Sequence, residues 1–266
     1  MPFLSVNDVE LYYEVHGSGP PLLLVAGLAS DSQSWLPVVP ELSSCFTLIM
    51  PDTRGVGRST PDCDISISLM ADDCALLLRH LGVGRAHLLG HSMGGMVAAD
   101  MAARHPYSAA SLTLVATAAR NLPRNNLMFA DWSKLYEAAP LRETFFRSIL
   151  SWILTPSFFE TPKQVDASLI YLLNYPWPQS PKGFMGQTEA IALHNGTEAL
   201  VYISCPTLVM AGEQDILMPM ESSRALAIGI KGSELVVIEG AAHSVHSEQP
   251  RRFAEVVSYF LLKHQL

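Results

Sequence analysis

A few residues in this chain have types and spacing that could do chemistry, and the first is a serine. In "AHLLGHSMGGMVAADMAARH" (86–105), Ser92 sits between Gly90 and Gly94, where an apolar run gives way to helix formers. A side chain at a sharp strand-to-helix turn is lifted clear of the sheet. The free N–H groups and positive dipole end of the helix then lie beneath it, ready for an anion. The glycines suit such a turn, because the serine backbone is strained and a Cβ at 90 or 94 would collide with neighbouring backbone. The plainer reading makes Ser92 the filler of a tight turn. A serine hydroxyl is a poor nucleophile without a base to take its proton, so the other titratable residues decide between the two.

There are nine histidines. His16 ends the N-terminal hairpin, and His80, His105 and His264 lie near helix C-termini, where a cation is favourable. His91 adjoins Ser92, and adjacent side chains on a sharp turn diverge. His243 lies in "ELVVIEGAAHSVHSEQP", just after the last strand-like run, in a loop of small residues, and His246 is the runner-up. A base also needs an acid to fix its tautomer. Asp215 lies in "TLVMAGEQDILMP", three residues past Gly212; Glu213 and Asp52 are weaker candidates. Ser92, Asp215 and His243 each follow a predicted strand, and ligand sites of open α/β sheets gather at those strand ends. A carbonyl attacked by Ser92 would need two backbone donors for its negative oxygen, each contributing ~2.7–4 kcal/mol to the transition state. The expected donors are the N–H groups of Met93 and of Leu28, the latter in the loop where Gly27 lets the backbone turn. No phosphate loop, metal-ligand cluster or dinucleotide fingerprint competes, so neither cofactor nor metal is expected.

These residues must be positioned by the elements between them. "LSVNDVELYYEV" reads as a hairpin turning at Asn7-Asp8. "PLLLVAG" and "CFTLIMPD" are short, wholly apolar runs, as in a parallel sheet covered on both faces. "SWLPVVPELSS" suits a short helix, and "SISLMADDCALLLRHLG" an amphipathic one closed by glycine. "RAHLLG", "ASLTLVAT", "CPTLVMAG" and "ELVVIEG" are further strands, and "RRFAEVVSYFLLKH" a closing helix. Strands alternate with helices, which predicts an α/β fold with a parallel sheet. The alternation breaks at residues 121–185, where aromatics and helix formers are cut by prolines. That stretch is expected to be a helical insertion over a core formed by residues 1–120 and 186–266.

Bulk properties narrow the function. With 266 residues, 49% hydrophobic, the chain can bury one large core plus an inserted unit. A net charge of −8, without a basic cluster, argues against nucleic acid. Cys45, Cys63, Cys74 and Cys205 show no ligand spacing and are expected as thiols. No signal peptide and no membrane-length apolar run are evident, so a soluble cytoplasmic protein is expected and the Asn195 glycosylation match is taken as chance.

Taken together, "LLLVAGLASDSQSW", "PDTRGVGRS", "GHSMGG", "PTLVMAGEQD" and "GAAHSVHSEQP" make the chain resemble the α/β-hydrolase superfamily over nearly its whole length. The resemblance implies a mostly parallel eight-stranded sheet flanked by helices, with a helical cap inserted after the sixth strand. It implies a triad in the order Ser92, Asp215, His243 and a structural role for the arginine and glycines of "DTRGVGRS". Ala26 stands where many members have histidine, which argues against the C–C bond hydrolases; serine rather than aspartate at 92 argues against dehalogenases and epoxide hydrolases. Size and the "AGLAS" loop are most similar to the 3-oxoadipate enol-lactonase-like and aminoacrylate-hydrolase-like branches, and the chain as a whole resembles the enol-lactonase-like / serine esterase branch. The implied reaction is hydrolysis of a small to medium, partly apolar ester or lactone through an acyl-enzyme. Perhydrolysis (cofactor-free haloperoxidase activity), amide or C–C hydrolysis, and slow-turnover ligand reception are the alternatives. Trp132, Phe146, Trp152 and Leu217 are expected at the substrate, with Arg142 or Arg147 available to a substrate carboxylate. Expected partners are a small molecule and, optionally, a second copy of the chain.

Overall fold

Residues 2–264 are described by a computed structural model. Asn7, at φ +50°, and Asp8 make the first tight turn. Asparagine tolerates this left-handed conformation, and the two-residue loop sets the register of the hairpin. Val6 of β1 (Phe3–Val6) therefore faces Val9 of β2 (Val9–His16). Six more strands follow: β3 (Pro21–Val25), β4 (Thr47–Pro51), β5 (Ala86–His91), β6 (Ala109–Val115), β7 (Thr207–Gly212) and β8 (Glu234–Ile238). The sheet order is β1-β2-β4-β3-β5-β6-β7-β8. Pairing is antiparallel at β1–β2 and β2–β4 and parallel from β4 onward. The expected eight-stranded, mostly parallel sheet is thus present.

The strands β5, β6 and β7 are buried along their whole length, because helices cover both faces. In chain order the helices are α1 (Val39–Leu42), α2 (Ile67–His80), α3 (Met93–Arg104), α4 (Pro123–Glu137), α5 (Arg142–Ile153), α6 (Pro162–Leu173), α7 (Pro181–Leu193), α8 (Met220–Gly229), α9 (Val245–Glu248) and α10 (Pro250–Lys263). One core layer joins Met70 and Leu77 of α2, Met96 and Val97 of α3 and Leu226 of α8 to one sheet face. The other joins Leu42 of α1 and Phe253 and Val257 of α10 to the opposite face. Ser66 caps α2 by accepting from the Leu69 N–H, and Gly82 at φ +70° follows its C-terminus. The single short helix expected around "SWLPVVPELSS" is instead a 3₁₀ turn (Ser32–Trp35) followed by α1. Pro37 and Pro40 lack the N–H groups that would carry one helix through.

Helices α4 to α7 fill the connection between β6 and β7. The boundary expected at 185/186 falls inside α7, since Ser180 caps a helix that runs on to Leu193. Among the described residues no helix is long and apolar enough to cross a membrane, and all four cysteines are free.

Candidate active site

The turn after β5 is as sharp as its glycines suggested. Ser92 stands at φ +54°, ψ −120°, between the end of β5 and the start of α3. A serine in this region costs about 1–3 kcal/mol and persists only where its surroundings hold it. They do: its N–H donates to the Val115 carbonyl at 2.9 Å, and Thr117 Oγ1 donates to its carbonyl at 2.6 Å. A Cβ on Gly90 would lie 2.1 Å from the Gly94 carbonyl oxygen, and one on Gly94 2.1 Å from that of Val25. Both clashes are with backbone, so only glycine fits either position.

The loops after β7 and β8 bring the other two residues together. The Glu213 N–H donates to the Ile238 carbonyl at 3.0 Å and the Gln214 N–H to that of Ala241 at 2.8 Å. A Cβ on Gly212 would meet the Ala242 carbonyl oxygen at 2.0 Å, so the loops touch backbone to backbone. His243 Nδ1 and Asp215 Oδ2 consequently stand 2.9 Å apart, both buried. The other oxygen, Asp215 Oδ1, accepts from the N–H groups of Leu217 and Met218 at 2.9 and 2.8 Å. The carboxylate is therefore fixed in plane, and the ring's Nε2 is left for another partner. Ser92 and His243 line one cavity, with Gly27 and Leu28 on its rim.

The weaker acids are engaged elsewhere. Exposed Glu213 accepts from the Gly240 N–H at 2.9 Å. Asp52 accepts from the N–H groups of Ser32 and Arg58, both at 2.9 Å, and from Arg58 Nε at 3.0 Å. Its neighbour Arg54 makes a buried two-pronged pair with Asp73, at 2.7 and 2.8 Å. The "DTRGVGRS" segment is thus a brace, and its Val56 lines the cavity that holds Ser92. His246, the other candidate base, is buried against Trp35 and His91, with ring centroids 4.8 and 4.6 Å away.

The two expected backbone donors lie on adjoining segments, and Leu28 lines the cavity. Strands β3 and β5 are neighbours with Val25 opposite Gly90, which places the loop after β3 beside Ser92. A Cβ on Gly27 would press on the Ser92 Cβ at 3.1 Å. Among the described residues nothing accepts from the N–H of Leu28 or of Met93, the first residue of α3.

The cavity holds about 280 Å³, at the small end for a small-molecule site. Trp132, Phe146 and Leu217 line it, together with other apolar residues of α4 and α5. Trp152 does not: its ring lies under the Arg124 guanidinium, 5.2 Å from centroid to carbon, on the flank of α5. Arg142 and Arg147 also lie outside it; the first sits over Tyr136 and the second pairs with Glu143. Among the described residues no lysine or arginine lines this cavity, and its one carboxylate is Asp31. Burial raises the Asp31 carboxyl above the usual range, against the opposing bond from the Tyr175 hydroxyl at 2.6 Å.

Several residues at the site escaped the sequence reading. The His91 ring sits beside that of His243, centroids 4.8 Å apart, with Nε2 2.9 Å from the His243 carbonyl oxygen. Burial holds His91 far below the usual histidine range, and burial followed by repulsion from His243 takes His246 down to about 3. Both stay neutral, so neither adds a permanent cation beside His243. Glu248 braces the histidine loop, accepting from the Ala242 N–H at 2.8 Å and from the Thr155 N–H, also at 2.8 Å. Its place in "HSEQP" was the one signal available; His91, Asp31, Tyr175 and Gln187 carried none. Among the described residues no group of three or more His, Cys, Asp or Glu is arranged to hold a metal ion.

Comparison with known proteins agrees with this fold. The family model described as alpha/beta hydrolase fold matches residues 20–250. The chain belongs to the alpha/beta hydrolase family. Within it, the chain is 30% identical over 269 residues to a protein of Azorhizobium caulinodans provisionally named carbamate hydrolase RutD, covering 98% of each. It resembles the crystal structure of the enol-lactonase from Burkholderia xenovorans LB400, with a TM-score of 0.88, 28% identity and coverage of 98% of this chain and 100% of that one. A thermophilic esterase from Thermogutta terrifontis matches with a TM-score of 0.85, 32% identity and coverage of 97% and 95%. This alpha/beta hydrolase is accordingly a hydrolytic enzyme.

Proposed function

We propose that this alpha/beta hydrolase is a serine hydrolase that cleaves esters or lactones of neutral, apolar acyl groups through an acyl-enzyme. The observation that carries this reading is a cavity holding both Ser92 and the Asp215-bound His243, with mostly apolar walls and, among the described residues, no lysine or arginine. Asp215 binds the Nδ1–H of His243, so Nε2 takes the Ser92 proton as Oγ attacks the carbonyl. The oxyanion accepts from the Leu28 and Met93 N–H groups. As the acyl–oxygen bond breaks, His243 returns that proton to the leaving oxygen. Water then attacks the acyl-enzyme, giving its proton to His243; Ser92 recovers it and the acid departs.

The acyl class follows from charge. An acyl group with a free carboxylate would meet Asp31 and no cation. This chain therefore differs in expected substrate from an enzyme built for dicarboxylate lactones, despite its likeness to an enol-lactonase. The RutD relative supports a second class of acyl group, a carbamoyl group, which the same steps would transfer to and from Ser92.

The test is a chain-length series of p-nitrophenyl esters and a p-nitrophenyl carbamate, run on wild type and Ser92→Ala. Wild type should turn over the short apolar esters, and Ser92→Ala should lose a factor of about 10⁴ or more. The hemisuccinate ester should be at least about tenfold poorer than the butyrate, because burying an unpaired carboxylate costs more than the ~1.4 kcal/mol that tenfold represents. Equal turnover by Ser92→Ala would end the mechanism, and a preference for hemisuccinate would end the assignment of substrate class.

A further inference from the structure

Gln187 lies on α7, far along the chain from β3, yet its side chain reaches the loop that follows β3. It is fully buried. Its Oε1 accepts the Ala29 N–H at 3.1 Å and Gln179 Nε2 at 3.0 Å. Its Nε2 donates to the Arg54 carbonyl at 3.3 Å and to Thr53 Oγ1 at 3.5 Å. Gln179 Nε2 also donates to the Gly55 carbonyl at 2.8 Å. Each amide nitrogen faces a backbone carbonyl, so neither amide can be turned over without setting two acceptors against each other.

The loop so held needs holding. Ala29 stands at φ +56°, a conformation that costs a side-chain-bearing residue about 1–3 kcal/mol unless its surroundings impose it. Within the loop, two bonds hold the turn, from the Ser30 N–H to the Gly27 carbonyl at 3.2 Å and from Ser30 Oγ to the Leu28 carbonyl at 3.3 Å. The bond from Ala29 to Gln187 is a further restraint, made on the strained residue itself, and it comes from outside the loop. Leu28, whose N–H is unpaired among the described residues, is the residue between Gly27 and Ala29.

We infer that Gln187 is a positioning residue for the oxyanion hole: by accepting the Ala29 N–H, it holds the loop in the turn that aims the Leu28 N–H at the carbonyl attacked by Ser92. The inference rests on the serine-hydrolase reading given above. It makes the helices between β6 and β7 part of the catalytic geometry as well as the cavity wall, since shifting α7 would release an oxyanion donor. The helix is built to stay put. A Cβ on Gly183 of α7 would lie 2.3 Å from the Gly55 carbonyl oxygen, so the helix lies close against the brace loop and accepts a glycine there.

Gln187→Met keeps the volume and removes the acceptor, whereas Gln187→Glu keeps an acceptor and, buried against the Arg54 carbonyl, holds its carboxyl protonated so that it donates there as the amide does. Each is assayed with p-nitrophenyl butyrate, with butaneboronic acid, whose Ser92 adduct carries the negative oxygen, and with the product acid as a ground-state ligand. Gln187→Met should lower kcat about 10- to 100-fold with KM within about threefold, less than or up to the loss of a whole donor. Boronate affinity should fall by the same factor and product affinity should hold. Gln187→Glu should recover to within about fivefold of wild type. Should Gln187→Met not fold, Gln187→Asn, which withdraws the amide by one methylene, should give the same pattern. Unchanged kcat, a loss confined to KM, or a loss in kcat without one in boronate affinity would overturn the inference. A fluorophosphonate that labels wild type but not Ser92→Ala keeps the serine-hydrolase reading standing in all three cases. Failure of that labelling would instead remove the reading itself.

Discussion

Gly94→Ala tests how the turn at Ser92 and the loop after β3 depend on each other. The added Cβ would lie 2.1 Å from the Val25 oxygen and 2.5 Å from the Ala26 oxygen. Neither is the end of a flexible side chain; both belong to the backbone leading into Gly27 and Leu28. To restore ordinary contact, that backbone and the first turn of α3 must separate by about 1 Å. A shift of that size carries the Leu28 donor away from Ser92, and misplacements of about 1 Å cost roughly 10²-fold in rate. Overpacking adds about 1–3 kcal/mol of destabilisation. Gly27→Ala is the graded companion. Its Cβ would meet the Ser92 Cβ at 3.1 Å and His91 Nδ1 at 3.2 Å, which a few tenths of an ångström relieve; about tenfold in kcat is expected. Gly84→Ala is the control, with nothing within 4 Å of its Cβ, and should be as stable as wild type or about 0.4–1 kcal/mol more so. The assay is kcat on p-nitrophenyl butyrate with a urea midpoint for each protein. A folded Gly94→Ala with kcat within about twofold of wild type would refute the reasoning.

Three other outcomes follow from the same geometry. Asp215→Asn should lower kcat about 10⁴-fold, as expected when the histidine tautomer is lost. Glu213→Gln should leave it unchanged, and the reverse result would move the acid to Glu213. Arg54→Met leaves Asp73 buried and unpaired and should cost about 3–5 kcal/mol in a thermal melt, most of it recovered in Arg54→Met with Asp73→Leu; equal melting of the two variants would contradict the pairing. His91 and His246 are depressed in the folded state, so the unfolded chain binds protons below about pH 6.5 that the folded chain does not. Stability is therefore full above that pH and lost as pH falls towards the folded values, by about 2 kcal/mol at pH 5 for His246, held down to about 3. Urea midpoints at pH 7 and 5 should show the decline; with His87 also held down to about 4 by burial, His246→Gln should remove about a third of it, and parallel midpoints in both proteins would refute the assignment.

Local chemistry made much of the fold legible. Asn7-Asp8 specifies a two-residue turn by its own backbone preference, and Ser66 and Gly82 bracket α2 by capping. The apolar runs of β3 to β7 and the helix between Ser92 and "ASLTLVAT" announce a buried parallel sheet. The glycines around Ser92 were readable because a strained turn leaves no room for a Cβ whichever protein contains it. Less was legible where distant segments meet. Nothing in "PLLLVAG" says that β2 crosses it to pair with β4, because sheet order depends on which connections pack over which face.

The amino-acid sequence by itself determined where a serine on a strained turn, a histidine and an acid would each follow a strand, because those signals are local. Tertiary structure decided which of them share a cavity and what else surrounds them. Periodicity could not turn Trp152 away from the cavity towards Arg124, since that needs the position of another helix. Nor could it bring Asp31 to Tyr175 or Gln187 to Ala29, pairs separated by well over a hundred residues. A buried polar side chain takes whatever donor the folded chain places within about 3 Å, and that partner is set by the packing of whole elements.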